Sequence, residues 1–205
     1  MQKIKHPLFK YLISLHFELK RILLQLKYPN LTIAPGVIIQ GSFEIRNKVK
    51  VTIGSGSRLN KRVVIYGSGE LTVGKNVSIN GACIGCETSI QINDYCLISD
   101  CFLSDSDYHN LEPHLRHSPP TSKVAAPITL KHNVWIGARV TIMKGVTVGK
   151  NSVIGLGSII RKSVPDNVVV IGNPQQIVKK LTQDSAEPYK QKFHEKAKQN
   201  HLDLV

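Results

Sequence analysis

Along the stretch VWIGARVTIMKGVTVGKNSVIGLGSII an aliphatic residue returns every six positions, at Ile136, Ile142, Val148, Ile154 and Ile160. A helix would return it at 3.6 residues and a strand at 2, so neither ordinary element accounts for the spacing. Two positions before each stands a small or compact residue: Val134, Val140, Val146, Ser152 and Ser158. The same return runs through Ile33, Ile39, Ile45 and Val51, and in looser register through Val73, Ile79, Ile92 and Ile98. A short fixed period of this kind marks a solenoid of stacked short strands, a parallel β-helix of hexapeptide repeats. Each hexad predicts one flat face, three faces close a triangular turn of about eighteen residues, and the aliphatic residue points to the axis. Gly or Asn shortly after many aliphatics (Gly137, Gly149, Gly155, and GKN at 74–76 and 149–151) suits corners that need positive φ.

Three segments fall outside the repeat. From His6 to Lys27, Leu8, Leu12, Leu15, Leu19, Ile22 and Leu26 alternate at gaps of four and three, which predicts an amphipathic helix, and Pro29 ends it. Two readings stand for its apolar stripe. Flanking Phe9, Ile13, Phe17 and Leu23 widen it as packing on the domain or on sister subunits would. Its cations, Lys3, Lys5, Lys10, Lys20, Arg21 and Lys27, would also suit an anionic membrane face. Between Ile98 and Ile128 the text SDCFLSDSDYHNLEPHLRHSPPTSKVAAP has no six-residue return, so a loop of about 104–127 is thrown out from the coil; long loops of this kind are often functional. After Val164–Pro165 the repeat is expected to end, leaving a polar, lysine-rich tail over 181–205 as a loosely held helix. The expected organisation is thus a helix over 1–30, a β-helix domain over 31–180 and the tail.

Composition narrows the class. With 27 Lys and Arg against 14 Asp and Glu the chain carries +13, which points to a polyanionic or phosphate-bearing partner. No RNA- or DNA-binding module is readable, so a nucleic acid is not the expected partner. Cys83, Cys86, Cys96 and Cys101 include one C-x-x-C but no second pair at zinc-finger spacing, and read as small, reduced core residues. Lys10, Glu18, Lys20 and Arg21 interrupt the N-terminal apolar run, so neither a signal sequence nor a membrane span is expected there and a cytoplasmic protein follows, with the inner membrane face open to the basic helix.

The block HNVWIGARVTIMKGVTVGKNSVIGLGSIIRKSVPDNVVVIGNPQQIV resembles, almost residue for residue, the closing block of the hexapeptide-repeat acyltransferases, in the branch of maltose, galactoside and polysaccharide O-acetyltransferases. The resemblance covers about 33–180. It implies an all-β solenoid with a left-handed parallel β-helix, a homotrimer with sites between subunits, and acetyl-coenzyme A as co-substrate with no metal. In that family a histidine of the extruded loop acts as general base, and DSDYHN supplies His109. The residue type suits the task, because imidazole titrates near 6.5 and, when neutral, can take the proton of an attacking hydroxyl. Asp107 and Asp105 are the local candidates to orient its other ring nitrogen, Asp107 preferred.

Carried over position by position, the resemblance puts Ala138 and Leu156 beside the pantetheine arm, Trp135 beside the thioester, and Arg161, Lys162 and Lys179 toward the phosphates. Packing alone for Trp135 and a solvated edge for Lys162 are the plain alternatives. INGAC keeps Asn80 of the family's N-x-N acceptor stretch but has Ala82 at its second Asn, which makes small galactoside-type acceptors doubtful. The basic N-terminal helix is more like enzymes that acetylate capsule, exopolysaccharide or O-antigen units. Arg116 and His117 are expected to meet the acceptor sugar, although His109, His114 and His117 also spell a metal-like spacing. The expected activity is O-acetylation of a sugar hydroxyl. Amine acetylation of an amino sugar or antibiotic, and a non-catalytic or metal-binding β-helix, remain as alternatives.

Overall fold

The computed structural model describes residues 7–121 and 124–182. The tail expected as a helix falls, from residue 183, outside the described residues. Short strands connected by tight corners wind into a parallel β-solenoid of about seven turns. The first face stacks Leu31–Ile33, Lys50–Ile53, Glu70–Val73, Ser89–Ile92, Ile128–Leu130 and Thr147–Val148. The second stacks Ile38–Ile39, Arg58–Leu59, the first halves of Ser78–Cys86 and Leu97–Ser104, then Trp135–Ile136, Val153–Ile154 and Val168–Ile171. The third stacks Phe43–Asn47, Val63–Gly67, the second halves of the two long strands, Thr141–Met143 and Ile159–Ile160.

The six-residue return is what closes the prism. Ile136, Ile142, Val148, Ile154 and Ile160 are fully buried on the axis, each under its counterpart one coil away, as in Ile98↔Ile136↔Ile154. The residue two before each is also buried: Val134, Val140 and Val146 as aliphatics, Ser152 and Ser158 as hydroxyls that accept a backbone N–H from the next turn. Burying one such aliphatic contributes about 1.5–3 kcal/mol, and because each coil touches only its neighbours the stabilisation is shared level by level.

Turn length departs from the sequence expectation at the N-terminal end. Ile136 and Ile154 face each other across one 18-residue turn, but Leu31 pairs with Val51 and Val51 with Leu71, so those turns hold 20 residues. The added residues widen the third corner around Asn47 and Lys48, with Val49 turned inward and fully buried. At the other end the repeat outlasts Pro165: Val168–Ile171 adds a further parallel strand before Gln176–Lys180 folds back antiparallel on it.

The corner glycines have two different causes. Between the first and second faces every corner ends in a residue of positive φ: Gly36, Gly56, Asn76, Tyr95, Asn133, Asn151 and Asn167. Asn side chains there also bond along the column, Asn133 Nδ2 to Asn151 Oδ1 at 3.0 Å and Asn151 Nδ2 to Asn167 Oδ1 at 2.8 Å. Gly149, expected to serve positive φ, serves close approach instead: a Cβ there would lie 2.4 Å from the backbone of Pro165 and Asp166.

The helix Pro7–Lys27 forms as expected but is seated the other way round. Its partly buried side, with Leu24 and Tyr28 packed on the core, faces the first coils, while the predicted stripe of Leu12, Leu15, Leu19, Ile22 and Leu26 is exposed. The polar groups of the seated side explain this. Gln25 Oε1 accepts the Ile33 N–H at 2.6 Å, Glu18 Oε1 the Gly36 N–H at 2.9 Å, and Arg21 donates to the Ile33 carbonyl at 3.3 Å. These satisfy the edge of the first strand, which has no coil before it. The four cysteines are free, and Cys86, Cys96 and Cys101 are buried. Cys96 occupies the inward slot held by Val77 and Val134 one coil to either side.

Candidate active site

The strand Leu97–Ser104 runs along the second and third faces and at its end leaves the coil as the extruded loop. Asp105 pins the point of departure. It is fully buried, and its carboxylate accepts the Glu87 N–H at 2.7 Å, the Thr88 N–H at 2.8 Å and the Thr88 hydroxyl at 2.9 Å. The returning strand closes the root by an antiparallel bridge between Ser106 and Ala125, with Asp107 N–H to Val124 O and Ala126 N–H to Asp105 O. Asn110 organises the tip. Its Nδ2 donates to the carbonyls of Leu115, Ser118 and Pro119 and its Oδ1 accepts the Thr121 N–H, so the segment is a compact loop stitched by one buried amide.

His109 sits between these anchors, exposed on the loop surface. The carboxylates expected to orient it are committed elsewhere. Both oxygens of Asp105 are taken by residues 87 and 88, one coil earlier, which makes it a structural pin rather than a partner for an imidazole. Asp107 Oδ2 lies 2.6 Å from Lys144 Nζ, and the same ammonium donates to the Val124 carbonyl. This half-buried pair clamps the loop to the following coil. Tyr108, at positive φ, turns its ring into the coil, stacked on Tyr66 with centroids 6.1 Å apart. Gly85 makes the room, since a Cβ there would meet the Tyr108 hydroxyl at 2.0 Å. Burial pushes the ionisation of this phenol upward.

Beside the loop root an open groove of about 380 Å³ is lined by Phe102, Asp107, Tyr108, Leu111, Met143 and Lys144. Sequence reasoning singled out neither Lys144 nor Tyr108 nor Asn110. Lys144 could have been found by counting coils, because the register Ser104↔Met143 sets it beside the loop root.

The remaining candidates fall on two edges of the prism. Asn80, Ala138 and Leu156 all stand at the corner between the second and third faces, where Gly157 N–H bonds the Ala138 carbonyl at 2.9 Å. Leu156 is 64% exposed and Trp135, just before that corner on the second face, 53%. Trp135, Val153, Val169 and Lys179 are in register down the second face, so at about 4.8 Å per strand the backbones of Trp135 and Lys179 are roughly 14 Å apart. Arg161 and Lys162 lie instead on the loop's own edge, where the Arg161 guanidinium donates to Asn173 Oδ1 and Gln175 bonds the backbone of both. Arg116 and His117 are exposed just past the turn Pro113–Leu115, and Arg116 donates to the Leu111 carbonyl. Among the described residues no three His, Cys, Asp or Glu side chains are grouped to hold a metal.

From Ser99 to Ser104 the third face is, at about 3.3 Å per residue, roughly 16 Å wide. Within one chain, His109 and the Asn80–Ala138–Leu156 corner therefore stand on different edges.

Residues 127–162 match the family model described as bacterial transferase hexapeptide (six repeats). Galactoside O-acetyltransferase of Escherichia coli K12 is 37% identical over 57% of this chain and 56% of its own length. The matches to the first curated relatives cover 30% to 56% of those proteins. Among solved structures, the polySia-specific acetyltransferase NeuO is 31% identical over 73% of this chain and 71% of its own, with a TM-score of 0.63. AntD, an N-acyltransferase from Bacillus cereus solved with dTDP and coenzyme A, is similar in fold alone, at 19% identity over 85% of this chain and 95% of its own and a TM-score of 0.65. The corner-by-corner solenoid, the extruded loop and these matches lead to one assignment: the chain belongs to the hexapeptide-repeat acyltransferase family, with its left-handed β-helix.

Proposed function

We propose that the protein is an acetyltransferase that moves an acetyl group from acetyl-coenzyme A to a sugar hydroxyl of a polysaccharide or its precursor, with His109 as general base. The observation that carries this reading is His109 itself, an exposed imidazole on a loop pinned to the coil by Asp105 and Asp107 and stitched at its tip by Asn110. A base on such a mount keeps its position without being buried. Neutral His109 takes the proton of the hydroxyl as its oxygen becomes the nucleophile, and returns it to the departing thiolate. The galactoside and polySia specificities in the names of two relatives more than 30% identical support a sugar acceptor.

The residues present suit the donor. Coenzyme A would supply the acetyl group as a thioester, the activated form that a hydroxyl can attack. Trp135, Ala138 and Leu156 offer an exposed apolar corner for its arm, and Lys179 lies on the same face for a phosphate. Arg161 and Lys162 would have to reach phosphates from the loop's edge. A second copy resolves the geometry: where the His109 edge of one subunit meets the Asn80–Leu156 edge of the next, both parts of the site come together, and threefold closure completes three sites. Asn80 and, from the loop, Arg116 and His117 are the proposed acceptor contacts. Four free cysteines suit a reducing compartment, which supports a cytoplasmic protein.

The test is thiol release from acetyl-coenzyme A against a panel of nucleotide sugars and oligosaccharides. His109→Ala should lower turnover by about 10²–10⁴-fold while binding coenzyme A as before. Turnover at the unmodified rate removes His109 from the mechanism. Lability of the product in mild alkali separates ester from amide, and hence a hydroxyl from an amine acceptor.

A further inference from the structure

The N-terminal helix presents an apolar surface that no other described residue covers. Leu12, Leu15, Leu19, Ile22, Leu23 and Leu26 are each between 43% and 75% exposed. At 100° per residue they fall within an arc of roughly 100°, a continuous stripe along the helix. The opposite side is occupied, by the bonds of Glu18, Arg21 and Gln25 to the first strand and by Lys20 Nζ to the Gly41 carbonyl at 3.2 Å. The helix is therefore fixed with its apolar stripe outward, and hiding that stripe on its own coil would break the bonds that seat it.

Charge indicates what covers it. Residues 1–62 hold 12 of the 27 Lys and Arg but only 2 of the 14 Asp and Glu, a net +10 out of +13. The two acids are themselves engaged, Glu18 by Arg21 and Glu44 by Arg46 and Arg62. A second copy brought against the stripe would carry the same excess and repel it. An anionic lipid surface is complementary on both counts: the stripe enters the acyl boundary, while Lys27 on its flank and the basic corners of the first coils meet headgroup phosphates. Among the described residues no helix is long and apolar enough to cross a membrane, so the fit is to lying in the surface.

We propose that the helix Pro7–Lys27 docks the protein on anionic bilayers through its outward leucine stripe, with the N-terminal coils contributing charge. The inference stands apart from the chemistry at His109, because its readout is partition, not turnover. The experiment is co-sedimentation of the whole protein with vesicles of phosphatidylcholine alone or with about a third phosphatidylglycerol. Binding is expected only to the mixed vesicles and should weaken severalfold as salt rises from about 0.1 to 0.5 M. Leu19→Glu with Leu23→Glu, both at exposed positions, should cut it at least tenfold at an unchanged melting temperature and unchanged mass by light scattering. Equal binding to neutral vesicles, or full binding by the double variant, overturns the proposal. So does a fall in particle mass of the double variant, which would assign the stripe to contacts between copies.

Discussion

The buried carboxylate of Asp105 offers a stringent trial of the site's construction. Asp105→Ala removes the acceptor of two backbone N–H groups, those of Glu87 and Thr88, and of the Thr88 hydroxyl, all within 2.9 Å. Hydrogen bonds to a charged group contribute about 1.5–3 kcal/mol, and a buried donor left without a partner costs about 1–3, so losing the set should cost about 3–5 kcal/mol. A solenoid concentrates such a loss locally, because each coil is held by its neighbours alone. At 1.4 kcal/mol per decade the root of the loop should open roughly a hundredfold to a few thousandfold more often. Amide hydrogen exchange reads this at Glu87, Thr88 and Ala126, and the urea midpoint should fall alongside. Asp105→Asn keeps one acceptor oxygen and should lose about half as much. The alternative role, orienting His109, predicts something else: native exchange rates and a displaced pH–rate profile. Exchange within about threefold of the parent protein in Asp105→Ala would refute the structural account.

Further expectations rest on independent features. Burial raises the thiols of Cys86 and Cys101 to about 12 and of Cys96 to about 11, so at pH 8 they are almost wholly protonated and shielded; a disulfide reagent on the native protein should modify Cys83 and spare the other three, all four reacting in urea. Tyr95 holds φ 63° at a corner where its six counterparts are Gly or Asn, and apart from an edge contact with His132 at 5.2 Å its ring gains little from it. A left-handed L-residue costs about 1–2 kcal/mol, so Tyr95→Asn should raise the melting temperature by about 2–4 °C, and a fall would show that the ring contact outweighs the strain. Glu18 is held below the usual carboxylate range by the Gly36 N–H first and by Arg21 next, so its contribution is present above the free carboxylate's value near 4.5 and is lost as pH falls through its own lower value. The protection of the Gly36 amide, taken relative to its intrinsic exchange rate, should accordingly fall in acid below that range before the coil itself unfolds.

The fold was legible because its constraint repeats. An axial position inside a triangular coil admits only an aliphatic or another small buried side chain, so Ile136, Ile142 and Val148 announce the geometry without any knowledge of their partners. What the period could not disclose is what happens where the constraint is slack. The two residues added around Asn47 lie in a polar corner that tolerates length, and Val168–Ile171 continues the stack with a turn two residues short of a full period. The helix shows a different limit. Its stripe was readable, but an apolar stripe does not say which side a neighbour takes, and three polar contacts from Glu18, Arg21 and Gln25 decided that.

Around the candidate site, proximity in sequence was a poor guide to contact, for a reason specific to solenoids. In a stacked coil the partner of a corner side chain stands one turn away, and the bonds obey this: Ser57 to Gly74, Lys75 to Asp94, Asn133 to Asn151 and Glu87 to Asp105. Two carboxylates within four residues of His109 looked like its natural partners, yet one belongs to the coil before it and the other to Lys144 on the coil after it. A group that would orient His109 is therefore to be sought where stacking or assembly brings it, at a loop edge that the other described residues leave exposed. On the proposed reading that edge meets the Asn80–Leu156 corner of another copy, so one prediction covers both: turnover should depend on subunit association. Dilution that separates the subunits should abolish turnover without unfolding the coil, and full activity in an isolated, folded subunit would show that a single prism holds the whole site.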